Sequence, residues 1–116
     1  MKRQKSGPEA KIQDDIVKML RHKGWFVKET HGNMYQSGFP DLYATHHLYG
    51  ARWIEVKLPE MKGSHWTPAQ SRDFPLFTAH GTGIWILVSD SLEEYQKLFE
   101  AYNYTYYTDL WRKING

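Results

Sequence analysis

Gly38-Phe39-Pro40-Asp41-Leu42-Tyr43-Ala44-Thr45, then His46-His47-Leu48-Tyr49-Gly50, then Ala51-Arg52-Trp53-Ile54-Glu55-Val56-Lys57-Leu58, form one stretch of this 116-residue chain. Residues 40–45 and 51–58 alternate and carry β-branched and aromatic side chains, so they read as two strands of a hairpin joined through HHLYG. Alternation puts Ile54, Val56 and Leu58 on one face and Trp53, Glu55 and Lys57 on the other. In the preceding strand Leu42 and Ala44 share a face, with Asp41, Tyr43 and Thr45 opposite. If the apolar faces make one core, Asp41, Glu55 and Lys57 gather on the second face. Two carboxylates held close persist only with a cation between them or a proton on one of them.

Upstream, Trp25–Thr30 reads as a strand followed by an irregular loop, HGNMYQSGF. Before it, Ile12, Ile16, Met19 and Leu20 recur at helical spacing from Pro8 to about Lys23, with Ser6 or Gly7 as cap and Gly24 as stop. Residues 1–7 read as a basic, flexible arm and 8–116 as a single domain. Downstream, Pro59–Trp66 is a break, and Thr67-Pro68-Ala69-Gln70 is a helix start with Thr at N-cap, Pro at N1 and Gln at N3. That helix should run toward His80, with a kink or a split at Pro75. The unbroken apolar IWILV inside Gly83–Ser89 suits a strand paired in parallel and covered on both faces, and makes it the candidate for the middle of the sheet. Asp90 or Ser91 caps a last helix with Leu92, Tyr95, Leu98, Phe99 and Tyr102 along one side. The resulting class is α/β, an αβββαβ mixed sheet flanked by helices.

Hydrophobic residues at 41% and charged ones at 24% describe a chain that folds, not a disordered one. The longest apolar run, Ile84–Val88, is far short of the roughly 20 residues of a spanning helix, so no membrane is expected. With no cysteine there is neither a disulfide framework nor a thiolate site, and the cytoplasm is the default location. The net charge of +2 is uneven: residues 1–28 hold eight Lys/Arg against three acids, +5, leaving −3 on the rest. A basic arm of this kind suits phosphate contacts, and suits a solvated tail equally.

Oxygen donors from Asp41 and Glu55 suit Mg²⁺ or Mn²⁺. Such an ion would polarise a phosphate and activate water for phosphodiester hydrolysis, with Lys57 orienting that water or stabilising developing charge. Glu9 continues the apolar stripe of Ile12, Ile16 and Leu20, so its carboxylate points toward the sheet; the positive end of the helix dipole accounts for an acid there too. Adjacent His46 and His47 cannot readily converge on one ion and read as surface residues. Seven aromatics between Tyr95 and Trp111 read as core or subunit interface, or as platforms for bases. His65 and Trp66 fall in the break, within reach of a nucleic acid.

Gly38-Phe39-Pro40-Asp41, thirteen residues, then Glu55-Val56-Lys57 resembles the PD-(D/E)XK nuclease signature. Pro8-Glu9-Ala10-Lys11-Ile12-Gln13 resembles that superfamily's leading acid. Thr67-Pro68-Ala69-Gln70, followed by the strand within Gly81–Ser89, resembles the virus-type replication-repair nuclease branch, VRR-NUC. Four such pieces in one order span residues 8–95. The resemblance implies a restriction-endonuclease-like core with Asp41, Glu55 and the Val56 carbonyl on the metal. It makes Glu9 a further acid, Lys57 the catalytic lysine, and Gln70 a neighbour of the metal or scissile phosphate, although a capping box alone also calls for Gln70. It further implies a Mg²⁺-dependent DNA endonuclease, related to junction resolvases, in which Mn²⁺ substitutes. DNA contacts are expected from Arg3, Lys5, Ser37, Lys62 and Arg72. No separate module reads sequence, so cleavage selective for branched or four-way-junction DNA is expected, by a homodimer of the kind a phage or mobile element carries. A nonspecific or nicking nuclease, and a catalytically silent nucleic-acid-binding subunit, are the alternatives.

Overall fold

The computed structural model describes residues 7–30 and 38–115. Arg3, Lys5 and Ser37 lie outside the described residues, as do the other arm residues before Gly7 and most of the loop before Phe39. The first helix, α1 (Pro8–His22), starts behind Gly7 and buries Ile16, Val17 and Leu20. It ends where Gly24, at φ 92°, turns the chain. Gly24 N–H then reaches Arg21 O at 3.1 Å and Trp25 N–H reaches Leu20 O at 3.0 Å. This pair of bonds is a Schellman cap, and the left-handed residue it needs is a glycine.

Strands β1 (Phe26–Glu29), β2 (Leu42–His46), β3 (Gly50–Val56) and β4 (Ile84–Leu87) form one sheet in that spatial order. β1–β2 and β2–β3 are antiparallel, and Leu42 lies opposite Ile54. β3–β4 is parallel, with Glu55 beside Ile86. The mixed α/β sheet and the parallel pairing agree with the sequence. The place of β4 does not, because it is the edge strand. An unbroken apolar run reports cover on both faces, and says nothing of a neighbour on both sides. Here the outer edge of β4 is closed by side chains. Asn103 Oδ1 accepts from Ile86 N–H at 2.6 Å and its Nδ2 donates to Ile86 O at 3.1 Å. Glu94 Oε1 accepts from Val88 N–H at 2.9 Å. One side-chain amide thus stands in for a neighbouring strand. Asn103→Ala should lower unfolding free energy in urea by about 2 kcal/mol, one for each bond lost, while Asn103→Asp, which keeps the acceptor but sets a second carboxylate oxygen against Ile86 O, should lose at least as much.

A second difference follows β4. The expected long last helix is short, α3 (Leu92–Gln96), capped by the Ser91 hydroxyl accepting from Glu94 N–H. A further helix, α4 (Tyr104–Asn115), comes after it. The helix starting at Thr67 behaves otherwise. α2 (Pro68–Ala79) has the full Thr67–Gln70 capping box and is not split at Pro75. Pro75 and Ser71 are both exposed, so water can serve the Ser71 carbonyl that loses its amide partner.

Each face of the sheet has its own core. α1 covers Val27, Leu42, Ala44, Ile54, Val56 and Leu87. On the other face Met61, Phe74, Ile84, Ile86, Tyr104 and Tyr107 pack together, flanked by Trp53, Trp66 and Trp111. The face that carries Glu55 and Lys57 is therefore a second interior, not the polar surface that a single core would leave. Three of the C-terminal aromatics, Tyr104, Tyr107 and Trp111, contribute to it. His46 also departs from expectation. It is buried at 9% exposure, stacked between Tyr49 and His47 and tilted against Trp25, with Nδ1 accepting from Leu48 N–H. Among the described residues no helix is long and apolar enough to cross a membrane.

Candidate functional site

Asp41 and Glu55 meet because the β2–β3 register, extended one residue past Leu42 and Ile54, sets them side by side. Two hydrogen bonds interlock them. Asp41 N–H donates to Glu55 Oε1 at 3.1 Å, and Val56 N–H donates to Asp41 Oδ2 at 2.8 Å. Upstream, Gly38 enters the site against α2, where a Cβ would lie 1.9 Å from Asp73 Oδ2. A larger residue there would require the Asp73 side chain to move aside.

Glu55 is fully buried and Lys57 is 2% exposed. The cation that two neighbouring carboxylates demand is supplied by the chain itself, since Lys57 Nζ lies 3.3 Å from Glu55 Oε2. The ammonium also donates to His65 O at 2.8 Å and to Gln70 Oε1 at 3.2 Å, and sits 4.5 Å from the centre of the Trp66 ring. Three acceptors and one aromatic face fix its position.

Gln70 completes the capping box expected at its position and also touches Lys57 and Glu55. Its N–H donates to Thr67 Oγ1 and its Oε1 accepts from Thr67 N–H, each at 3.1 Å, completing the capping box. With Oε1 committed to Thr67 and Lys57, Nε2 faces Glu55 and donates to Oε2 at 2.8 Å. The start of α2 therefore orients the amide that touches the carboxylate. Asp41, Glu55, Lys57 and Gln70 form one hydrogen-bonded group around the end of β3, and Val56 belongs to it through its N–H.

Glu9, in the first turn of α1, is half-buried and meets the loop that follows β3. Ser64 Oγ donates to Glu9 Oε2 at 2.6 Å. Ser64 was not legible as a site residue, because nothing local marks a serine in a break as a partner of an acid 55 residues away. Trp66 is half-buried. It packs edge-on against Phe74 and Tyr104. His65 is exposed, and its carbonyl holds Lys57. Lys62 and Arg72 are both exposed and stand apart from the buried group, paired with Glu60 at 3.4 Å and Asp73 at 2.7 Å.

Oxygen donors dominate what this group could offer an ion: the Asp41 and Glu55 carboxylates and the Val56 carbonyl beside them. Among the described residues no cluster of three or more His, Asp or Glu is placed to hold a metal. The set suits a hard divalent cation that keeps much of its water shell, more than one caged wholly by protein.

No family model matches the chain, and no curated protein matches it. A solved VRR_NUC domain is similar in structure at a TM-score of 0.60 and 20% identity, over 84% of this chain and 100% of that one. The fold of this chain is that of a VRR_NUC domain.

Proposed function

We propose that this chain is a VRR-NUC nuclease, a single domain over residues 8–116 that hydrolyses phosphodiester bonds of DNA with Mg²⁺ as cofactor. The observation that carries the reading is the buried group of Asp41, Glu55, Lys57 and Gln70, built on the VRR_NUC fold. Asp41, Glu55 and the Val56 carbonyl would hold the ion, with Glu9 as a further acid; the donor set fits Mg²⁺, and Mn²⁺ substitutes. When bound, the ion supplies a polarised phosphate and a water of lowered pKa.

The remaining work falls to the chain's own groups. Lys57 brings a positive charge already desolvated and oriented by His65 O, Gln70 and Glu55, so little reorganisation is needed as charge develops on the phosphate. Gln70 holds Glu55 through Nε2 and Lys57 through Oε1, fixing their spacing. Exposed Lys62 and Arg72, with Arg3, Lys5 and Ser37, contact backbone phosphates. The preferred substrate is branched DNA such as a four-way junction. A homodimer supplies the second site that paired strands need, and Phe99, Tyr102 and Tyr106, exposed at 45%, 44% and 62%, support an apolar contact near the C-terminal helix.

The test is cleavage by the pure protein of a panel of duplex, flap, single-stranded and four-way-junction DNAs in Mg²⁺, Mn²⁺ or EDTA. Cleavage in either metal and none in EDTA, fastest on the branched substrates, is expected. Equal rates on linear duplex would favour a nonspecific enzyme, and binding without cutting in both metals would favour a silent DNA-binding subunit. Light scattering of the same preparation reads the assembly.

A further inference from the structure

Ser64 sits where three distant parts of the chain meet, and every polar group it has is used. Its Oγ accepts from Leu58 N–H at 2.7 Å and donates to Glu9 Oε2 at 2.6 Å. Its N–H donates to Met61 O at 3.1 Å. Its carbonyl accepts from Trp111 Nε1 of α4 at 2.9 Å. The residue is 5% exposed.

The loop that presents it is strained. Glu60 and Met61 both take left-handed backbone, at φ 56° and 63°. For residues other than glycine such conformations are costly, and last only where the surroundings over-determine them. Here the surroundings are identifiable. Met61 is fully buried in the second core, and the Ser64 bonds tie the far end of the loop to Leu58, two residues past β3, to α1 and to α4.

The direction of the hydroxyl hydrogen follows from this bonding. Leu58 N–H approaches an Oγ lone pair, so the O–H is left to point at Glu9. A glutamate in the first turn of a helix has several rotamers to choose among, and Gly7 offers that turn no side-chain cap. A short bond from a buried hydroxyl, itself held by Leu58 just after the strand that carries Glu55 and Val56, selects one.

We propose that Ser64 is a positioning residue for Glu9, and that through it the loop and α4 set the affinity of the Asp41/Glu55 site for a divalent ion. This rests on the ion-site reading given above. Partners that orient metal-ligating groups typically change ion affinity by 10- to 100-fold when removed. The lower figure is expected here because the Asp41 and Glu55 carboxylates, which Ser64 does not touch, would remain.

The experiment is calorimetric titration of the full chain, without DNA, with Mn²⁺. Ser64→Ala should weaken binding about tenfold, and Ser64→Thr, which keeps the hydroxyl, should restore it to within about twofold. In a Glu9→Gln background Ser64→Ala should cause no further loss, because two groups acting as one unit are not additive. Should Ser64→Ala fail to fold, Trp111→Phe removes only the bond to the Ser64 carbonyl while keeping a ring in the core, and should weaken Mn²⁺ binding two- to threefold. Unchanged affinity in the folded variant, or an equal loss with and without Glu9, overturns the proposal while leaving the ion site standing. Failure of the unaltered chain to bind Mn²⁺ overturns the ion site and this proposal together.

Discussion

Asp41→Asn is expected to leave a folded protein that binds DNA in EDTA as tightly as the parent, or more tightly, and cuts it at least about 10³-fold more slowly in saturating Mg²⁺. An asparagine can still offer an oxygen to Val56 N–H, so the local fold loses little. What it loses is the charge an ion needs, and with it a repulsion toward phosphate. Glu55→Gln should abolish cleavage to the same degree but is the less conservative change. Glu55 receives Asp41 N–H on one oxygen and Gln70 Nε2 and Lys57 Nζ on the other. A glutamine must set its own NH₂ against one of those donors, which should lower stability by about 1–3 kcal/mol. Nuclease assays with gel-shift controls read the first effect and urea unfolding the second. Cleavage within tenfold of the parent by either folded variant would remove Asp41 and Glu55 from the chemistry.

Lys57→Ala should lower turnover about 10²-fold and stability by about 3 kcal/mol, because it leaves Glu55 buried without its cation. Lys57→Met keeps a stem against Trp66 and should recover part of the stability and none of the turnover. DNA affinity and its dependence on salt should stay as in the parent. A lysine 2% exposed does not meet phosphates in the encounter, so it releases no counterions. A flattened salt dependence in Lys57→Met would place the ammonium on the DNA-binding surface and contradict the buried site.

What could be read before folding was what local periodicity controls. Alternation over residues 51–58 assigned Glu55 and Lys57 to one face and Ile54 and Val56 to the other, as found. The Thr67–Gln70 spacing gave a capping box because its bonds close within three residues. The helical stripe that contains Glu9 pointed it inward. Errors began where pairing is long-range. Nothing inside IWILV tells an edge strand sealed by Asn103 from a central one. Residues 104–115 contain tyrosines and threonines of low helix propensity, which hid α4 although Tyr104, Tyr107 and Trp111 recur at helical spacing. The resemblance also stopped near Tyr95, so the part of the chain that holds the Ser64 carbonyl went unread. Pro75 was judged by the clash it causes in a buried helix, whereas its exposed position lets water take the orphan carbonyl.

The Asn103 clasp also has a history within each molecule's synthesis. Asn103 leaves the ribosome sixteen residues after Leu87. Until then β4 can emerge with its outer rail bare, an apolar strand open to whatever extended chain lies nearby, including a neighbour on the same polysome. The opposite rail has standing protection, since β1 is four residues long and carries Lys28. The order in which the sheet and its clasp are made thus leaves one interval in which this edge is open to intermolecular pairing.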